Sequence, residues 1–277
     1  MTQIELIDFP KPWFLFKLTM AISVGYMAFA LFRKWRGWSR GLEEPAAASG
    51  NFRSIAKIWL AEVFLHRQLL ALSFSRWVNH LLIFYGFIGL ALLPLIANIL
   101  AGSGYLALSS TSPHFYLDPT GYLLIKLWGD TFGLMLLSGL IFSCIRRFLI
   151  RPAQQTNDQL DVVLLALLFL VTFSGFCLEG LRASLVPAEI AHYSYVGRFF
   201  TLPGAHPFEQ AWQWLTATWT FHFLLVASLF AYLPHSKLMH SLLAPMVIGM
   251  NAAAEHARKD LYWPEMKKYR PAGSPRD

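Results

Sequence analysis

Five long apolar runs, at about 13–32, 77–100, 121–145, 161–179 and 212–233, alternate with short polar and basic stretches along the chain. A bilayer core takes roughly twenty helical residues to cross, so each run predicts one spanning helix. Backbone groups in hydrocarbon must bond to one another, which leaves the helix as the form open to a single span. The pattern predicts an all-α integral membrane protein: a five-transmembrane-helix bundle, with residues 1–277 as a single domain and no internal repeat. The connector at about 54–75, inside IAKIWLAEVFLHRQLLALSFSRW, reads as one amphipathic helix lying on the membrane and feeding the second span.

Charge orients the spans. RKWRGWSR (33–40) follows the first run, CIRRFLIRP closes the third, and the tail at 235–277 is basic. Of 23 Lys and Arg, only Lys11, Lys17, Lys126, Arg182 and Arg198 fall on the opposite side. Loops rich in Lys and Arg stay cytoplasmic, so the N-terminus is expected outside and the C-terminus in the cytoplasm, in a cell's inner (cytoplasmic) membrane. A composition 56% hydrophobic and 14% charged fits that class, and the net charge of +7 is topological rather than a nucleic-acid surface. Cys144 and Cys177 lie inside apolar runs and form no CxxC or CxxCH, which argues against disulfides, iron–sulfur ligation and covalently attached haem. The opening MTQIELIDF lacks a small-residue cleavage site, so no removable signal peptide is expected.

The candidate chemistry is in the histidines. WTFHFLLVASLFAYLPHSKLMHSLLAP, from Trp219 to Pro245, reads as an apolar helix carrying His222 and His240, with a kink at Pro234. Eighteen residues make five turns, so both imidazoles leave one side, about 27 Å apart. Two stacked haems held by imidazole would suit that spacing; the plainer reading is one bundle histidine and one interfacial histidine. His80 lies four residues inward of Arg76 and His240 three beyond Lys237, which puts both at the cytoplasmic headgroups on antiparallel helices, placed to ligate one haem. Gly86 and Gly89 would admit a flat macrocycle, or would serve helix packing.

His222 is deeper and toward the outer side. Phe87 and Leu90 occupy the levels on the second span where a partner would be expected, so a fourth ligand is sought in the loop residues His192 or His206. His114 reads as a solvated loop histidine and His66 as a surface residue of the connector. A competing register pairs His66 with His240 and His80 with His222, at the cost of a haem outside the hydrocarbon. Lys126 with Asp130, and Glu179 with Arg182, are neighbours on single helices and can neutralise each other. Together they form a polar cluster at the outer interface, suited to a quinone headgroup.

HFLLVASLFAYLPHSKLMHSLLAP resembles the membrane cytochrome b (gamma) subunit of respiratory nitrate reductases. The His-x17-His spacing and the Pro-x-Ser-basic-x-x-His run carry the resemblance. GDTFGLMLLSGLIFSCIRRFLIRP and TNDQLDVVLLAL extend it. SRWVNHLLIFYGF and LDVVLLALLFLVTFSGFCLEGLR are more similar to a sister branch, the cytochrome b subunits of heterodisulfide-reductase-like and dissimilatory sulfite-reduction-linked (menaquinol oxidoreductase) complexes. The resemblance implies two b haems, an outer quinone site and a cytoplasmic iron–sulfur subunit of the heterodisulfide-reductase-like kind. His80 and His240 match the inner haem ligands, His222 matches one outer ligand, and Lys126 falls near the quinone-site lysine. The second span departs from the family where it should supply the other outer ligand.

The expected function is electron transfer between the membrane quinone pool, menaquinol or ubiquinol, and that iron–sulfur partner. The rivals are a haem-free anchor for a cytoplasmic redox complex, which would show no absorbing cofactor, and a small transporter, which would show repeats and broken mid-membrane helices.

Overall fold

The computed structural model describes residues 13–39, 52–102, 106–108, 115–117, 119–150, 159–184, 194–201, 208–241, 243–245 and 247–249. The helices are α1 (Trp13–Ser39), α2 (Phe52–Trp59), α3 (Arg67–Leu72), α4 (Phe74–Gly102), α5 (Pro119–Cys144), α6 (Gln159–Ala183) and α7 (Phe208–Tyr232). Five of them are long and apolar enough to cross a membrane, over Phe14–Gly37, Phe74–Ile96, Leu124–Ile150, Leu160–Ala183 and Gln213–His235. The five expected spans are therefore present, and the protein is a multi-pass membrane protein. Between α4 and α5 lies a short antiparallel pair, β1 (Leu106–Leu108) with β2 (Phe115–Leu117), in register Leu106 to Leu117. It adds a small exception to an otherwise helical fold.

The chain divides into two compact units. The first takes Met1–Ala28 and Val78–Ser236, the second Phe29–Trp77 and Lys237–Asp277. In the first, Leu136 and Leu140 of α5, Leu168 of α6 and Leu229 of α7 form a buried core, flanked by Ile83, Phe87 and Leu90 of α4. Glycines let α4 and α5 touch. A Cβ on Gly86 would fall 2.5 Å from the backbone nitrogen of Leu136, and one on Gly139 would fall 2.7 Å from Ile83. Gly89 lies flat against the Phe132 ring, and its carbonyl accepts a 2.6 Å bond from Trp128 Nε1. Gly86 and Gly89 thus serve helix packing, and their faces are filled by α5 rather than by a macrocycle. Asn79 Nδ2 donates to Ser143 Oγ at 2.8 Å, a second tie between the same helices.

Two expectations about helices change. The Trp219–Pro245 stretch is not one helix. α7 ends at Tyr232, a single 3₁₀ turn covers Leu233–His235, and Ser236 is extended. Pro234 has no N–H and its ring crowds the preceding turn, so the α ladder stops there. Ser236 caps the break, its N and Oγ both donating to Leu233 O at 3.1 and 2.9 Å. Counting 100° per residue from His222 to His240 therefore fails.

The connector is not one helix either. α2 runs into a π-helical turn over Leu60–Phe64; His66 adopts φ 48, the only positive φ outside glycine among the described residues; and α3 begins at Arg67. Trp77 Nε1 holds the corner by donating to Leu65 O at 2.7 Å. Non-glycine residues in the left-handed region cost of order 1–3 kcal/mol and gather at functional sites.

Gly86→Val should wedge α4 from α5 and cost about 1–3 kcal/mol, the usual penalty for overpacking. Gly25→Val, where an added Cβ meets nothing within 4 Å, is the control. Thermal denaturation of the purified protein, followed by loss of monodisperse species, should separate the two variants by several degrees.

Candidate functional site

Antiparallel packing of α5 and α6 brings the first turns of one beside the last turns of the other. That juxtaposition collects the polar residues. Lys126 of α5 forms an ion pair with Glu179 of α6, and Lys126 is only 5% exposed. Arg182 and Asp130 lie close enough to act electrostatically on Lys126. All four residues expected at a quinone site are thus in one cluster. The local pairing is not the one read from helix spacing, because the direct partner of Lys126 is Glu179 across the helix contact, not Asp130 one turn on. A cross-helix pair locks two elements together, which a pair within one helix cannot.

Asp130, 3% exposed, has other partners. Its Oδ2 accepts from Val196 N at 2.9 Å and from Ser194 Oγ at 3.2 Å. Ser194 Oγ in turn accepts from Gly197 N at 3.0 Å, and Thr131 Oγ1 meets Tyr195 OH at 3.0 Å. The 3₁₀ turn Gly197–Phe200 then lies on α6, with the Phe200 ring stacked at 5.8 Å on Phe176. Nothing in the Pro-, Tyr- and Phe-rich loop marked this turn beforehand except its SYVG run.

The histidines share a pattern. His222 Nδ1 is 2.9 Å from Ser174 Oγ, whose one hydrogen goes to Val171 O at 3.1 Å. Ser174 therefore meets the ring as an acceptor, which assigns the proton to Nδ1 and the lone pair to Nε2. His240 Nδ1 donates to Lys237 O, and His66 Nδ1 donates to Phe64 O at 3.2 Å. Carbonyls accept only, so these rings too carry the lone pair on Nε2. A histidine oriented through Nδ1 with Nε2 as the basic nitrogen is the form that ligates haem iron. His235 is different: its Nε2 is engaged by Tyr26 OH at 3.0 Å. His80, on α4, stacks on Phe84 at 6.2 Å and 25°.

His66 and His240 belong to the same unit. Burial holds the His66 imidazole below its ordinary pKa of 6.5, the Phe64 carbonyl opposes this, and His240 adds to it. His66 is therefore neutral at physiological pH, as a metal ligand must be. Its sequence context reads as the surface of a connector, and its left-handed φ marks the corner between the π-helical turn and α3.

His222 lies against Gly175, whose added Cβ would be 3.3 Å from Cε1. Through the Gly133–Phe176 and Gly89–Phe132 contacts this is the level of Gly89 on α4. His80 is nine residues away along α4, roughly 13 Å at 1.5 Å per residue. No histidine of α4 stands level with His222, and Phe87 and Leu90 near that level pack on the leucine core, as expected. Ser174 is five residues from Glu179, roughly 7 Å along α6, so the His222 ring and the polar cluster are close. His114, His192 and His206 lie outside the described residues. Among the described residues no three His, Cys, Asp or Glu converge on a single metal position.

A multi-pass helical bundle with histidines bonded through Nδ1 and a buried charged cluster is an arrangement that a membrane electron-transfer subunit of a redox complex can use. Residues 111–252, just over half of the chain, match the nitrate reductase gamma subunit family, and the chain belongs to that family. It is 28% identical over 241 residues to one of the subunits of the dihydromethanophenazine:CoB–CoM heterodisulfide reductase of Methanosarcina thermophila, covering 82% of this chain and 76% of that one. The corresponding subunit from Methanosarcina mazei is 25% identical over 263 residues, 85% of this chain and 92% of that one. An EtfAB:quinone oxidoreductase of Syntrophomonas wolfei is 23% identical over 247 residues, 84% of this chain but 32% of that longer protein. No solved structure matches the chain.

Removing one partner of a buried ion pair strands the other charge and costs about 3–5 kcal/mol, whereas replacing both by apolar residues is often near neutral. Glu179→Ala should therefore destabilise the protein far more than Lys126→Met combined with Glu179→Leu. A double-mutant cycle read by thermal unfolding measures the coupling.

Proposed function

We propose that the chain is a b-type membrane cytochrome that moves electrons between the membrane quinone pool and a cytoplasmic iron–sulfur subunit of the heterodisulfide-reductase kind. The observation that carries the reading is the common state of His66, His222 and His240, each with Nδ1 held by a protein oxygen and the lone pair on Nε2. Bound haem supplies one-electron redox chemistry, while the protein sets ligands, orientation and dielectric. His222 and His240 come from the last span and its extension, and His66 and His80 from the connector and α4. With no α4 histidine level with His222, its haem draws the remaining ligand from His192 or His206, while His240 takes His80 or His66.

Lys126, Glu179 and Arg182 bind the quinone headgroup at the outer end of the bundle. Glu179 is the group there able to take a proton, and Lys126 is the donor to a quinone oxygen. Menaquinone and ubiquinone fit this chemistry equally, and electrons can run either way. Outer N-terminus and cytoplasmic C-terminus remain the orientation that the Lys and Arg distribution supports.

Two ligand pairings are distinguished by experiment. Depth relative to Arg76 and Lys237 pairs His240 with His80. The competing register pairs His240 with His66, which belongs to the same compact unit. Oxidised and reduced optical spectra of the purified protein should show a b-type cytochrome. His240→Ala should remove one haem, and whichever of His66→Ala and His80→Ala removes the same signal identifies its partner. His222→Ala should remove the other haem; an unchanged haem stoichiometry there takes His222 out of the ligand set. A protein without an absorbing cofactor in any preparation would be an anchor only.

A further inference from the structure

The turn at Ser194–Thr201 reaches both helices that carry the charged cluster. On the α5 side it hangs from Asp130 through Val196 N and Ser194 Oγ, and Ser194 is wholly buried. On the α6 side the contact is backbone to side chain. A Cβ added to Gly197 would lie 2.5 Å from Glu179 Cγ, and one added to Gly180 would overlap the Phe200 backbone. Gly197 therefore stands where it limits the rotamers open to Glu179, the residue paired with Lys126. Asp130 sets Gly197 by fixing the residues just before it.

We infer that Asp130 is a positioning residue. It pins the Ser194–Gly197 turn so that Gly197 holds the Glu179 carboxylate against Lys126, and it does not itself contact quinone. The inference rests on the quinone reading of the Lys126–Glu179 pair. Asp130 anchors through two accepted hydrogen bonds, so Asp130→Asn keeps the acceptor for Val196 N, whereas Asp130→Ala keeps neither. Gly197→Ala reaches the same end from the other side: its Cβ would crowd both Glu179 Cγ and the anchoring Ser194 Oγ, and so move the turn and the Glu179 rotamer together.

The test uses the full chain in membranes, with menadiol as electron donor and haem reduction as readout, beside hydrogen exchange of the purified protein. Asp130→Ala should speed exchange over 194–201 and raise the KM for menadiol on the order of tenfold, as a displaced binding group does, with kcat and haem content kept. Gly197→Ala should raise KM alike, and Asp130→Asn should restore most of the wild-type value. Faster exchange with an unchanged KM overturns the proposal. So does a fall in kcat with a shifted pH profile, which would make Asp130 a proton-handling group. If Lys126→Ala and Glu179→Gln also leave menadiol kinetics unaltered, the quinone reading falls with it; a raised KM in those two alone overturns only the role given to Asp130.

Discussion

A backbone in hydrocarbon has no water to bond to, so every departure from helix must be satisfied within the protein. Three breaks among the described residues meet that demand. At His66, Leu65 N bonds to Leu60 O and Leu69 N to His66 O, while Trp77 caps Leu65 O. After Pro234, Ser236 turns back on Leu233 O. Before Gly197, the side chain of Asp130 accepts Val196 N. Chemistry gathers at these breaks: His66 forms one corner, His240 follows another, and Glu179 lies under the third. A straight helix presents side chains at fixed intervals, whereas a satisfied break can aim one.

The charged cluster obeys the same constraint. A lone ammonium or carboxylate out of water is costly enough that such groups occur paired or not at all. Lys126 and Glu179 are retained as a pair across α5 and α6, and Asp130 is held by hydrogen-bond donors rather than in an ion pair of its own. Charges of this kind do little for stability that apolar residues would not do better, so their presence is best explained by function. With His222 about a turn and a half of α6 away, a headgroup at the pair and an iron at the ring would sit within short electron-transfer reach.

Much of this was legible beforehand. Run length marked all five spans, because the thickness of hydrocarbon is a length that a sequence must match residue by residue. The grouping of Lys126, Asp130, Glu179 and Arg182 followed from their common place at helix ends. Partners were another matter. Lys126 reads as the neighbour of Asp130 by spacing along α5, yet pairs with Glu179, 53 positions away. The glycines of α4 read either as room for a flat ligand or as packing sites, and only the contacts with Leu136 and Phe132 decide for packing.

The amino-acid order by itself determined which five runs are apolar and long enough to cross a bilayer, though not where the last span and the connector break. The runs depend on solvent and on local period, and a window of some twenty residues contains both. Tertiary structure alone decided which faces meet, where Ser174 orients His222, that His66 leaves the helix near His240, and how Asp130 ties down a distant turn. Those depend on the rotation and sliding of packed helices against one another. That register is set by the sum of many side-chain contacts between segments far apart in sequence, so no single stretch contains it.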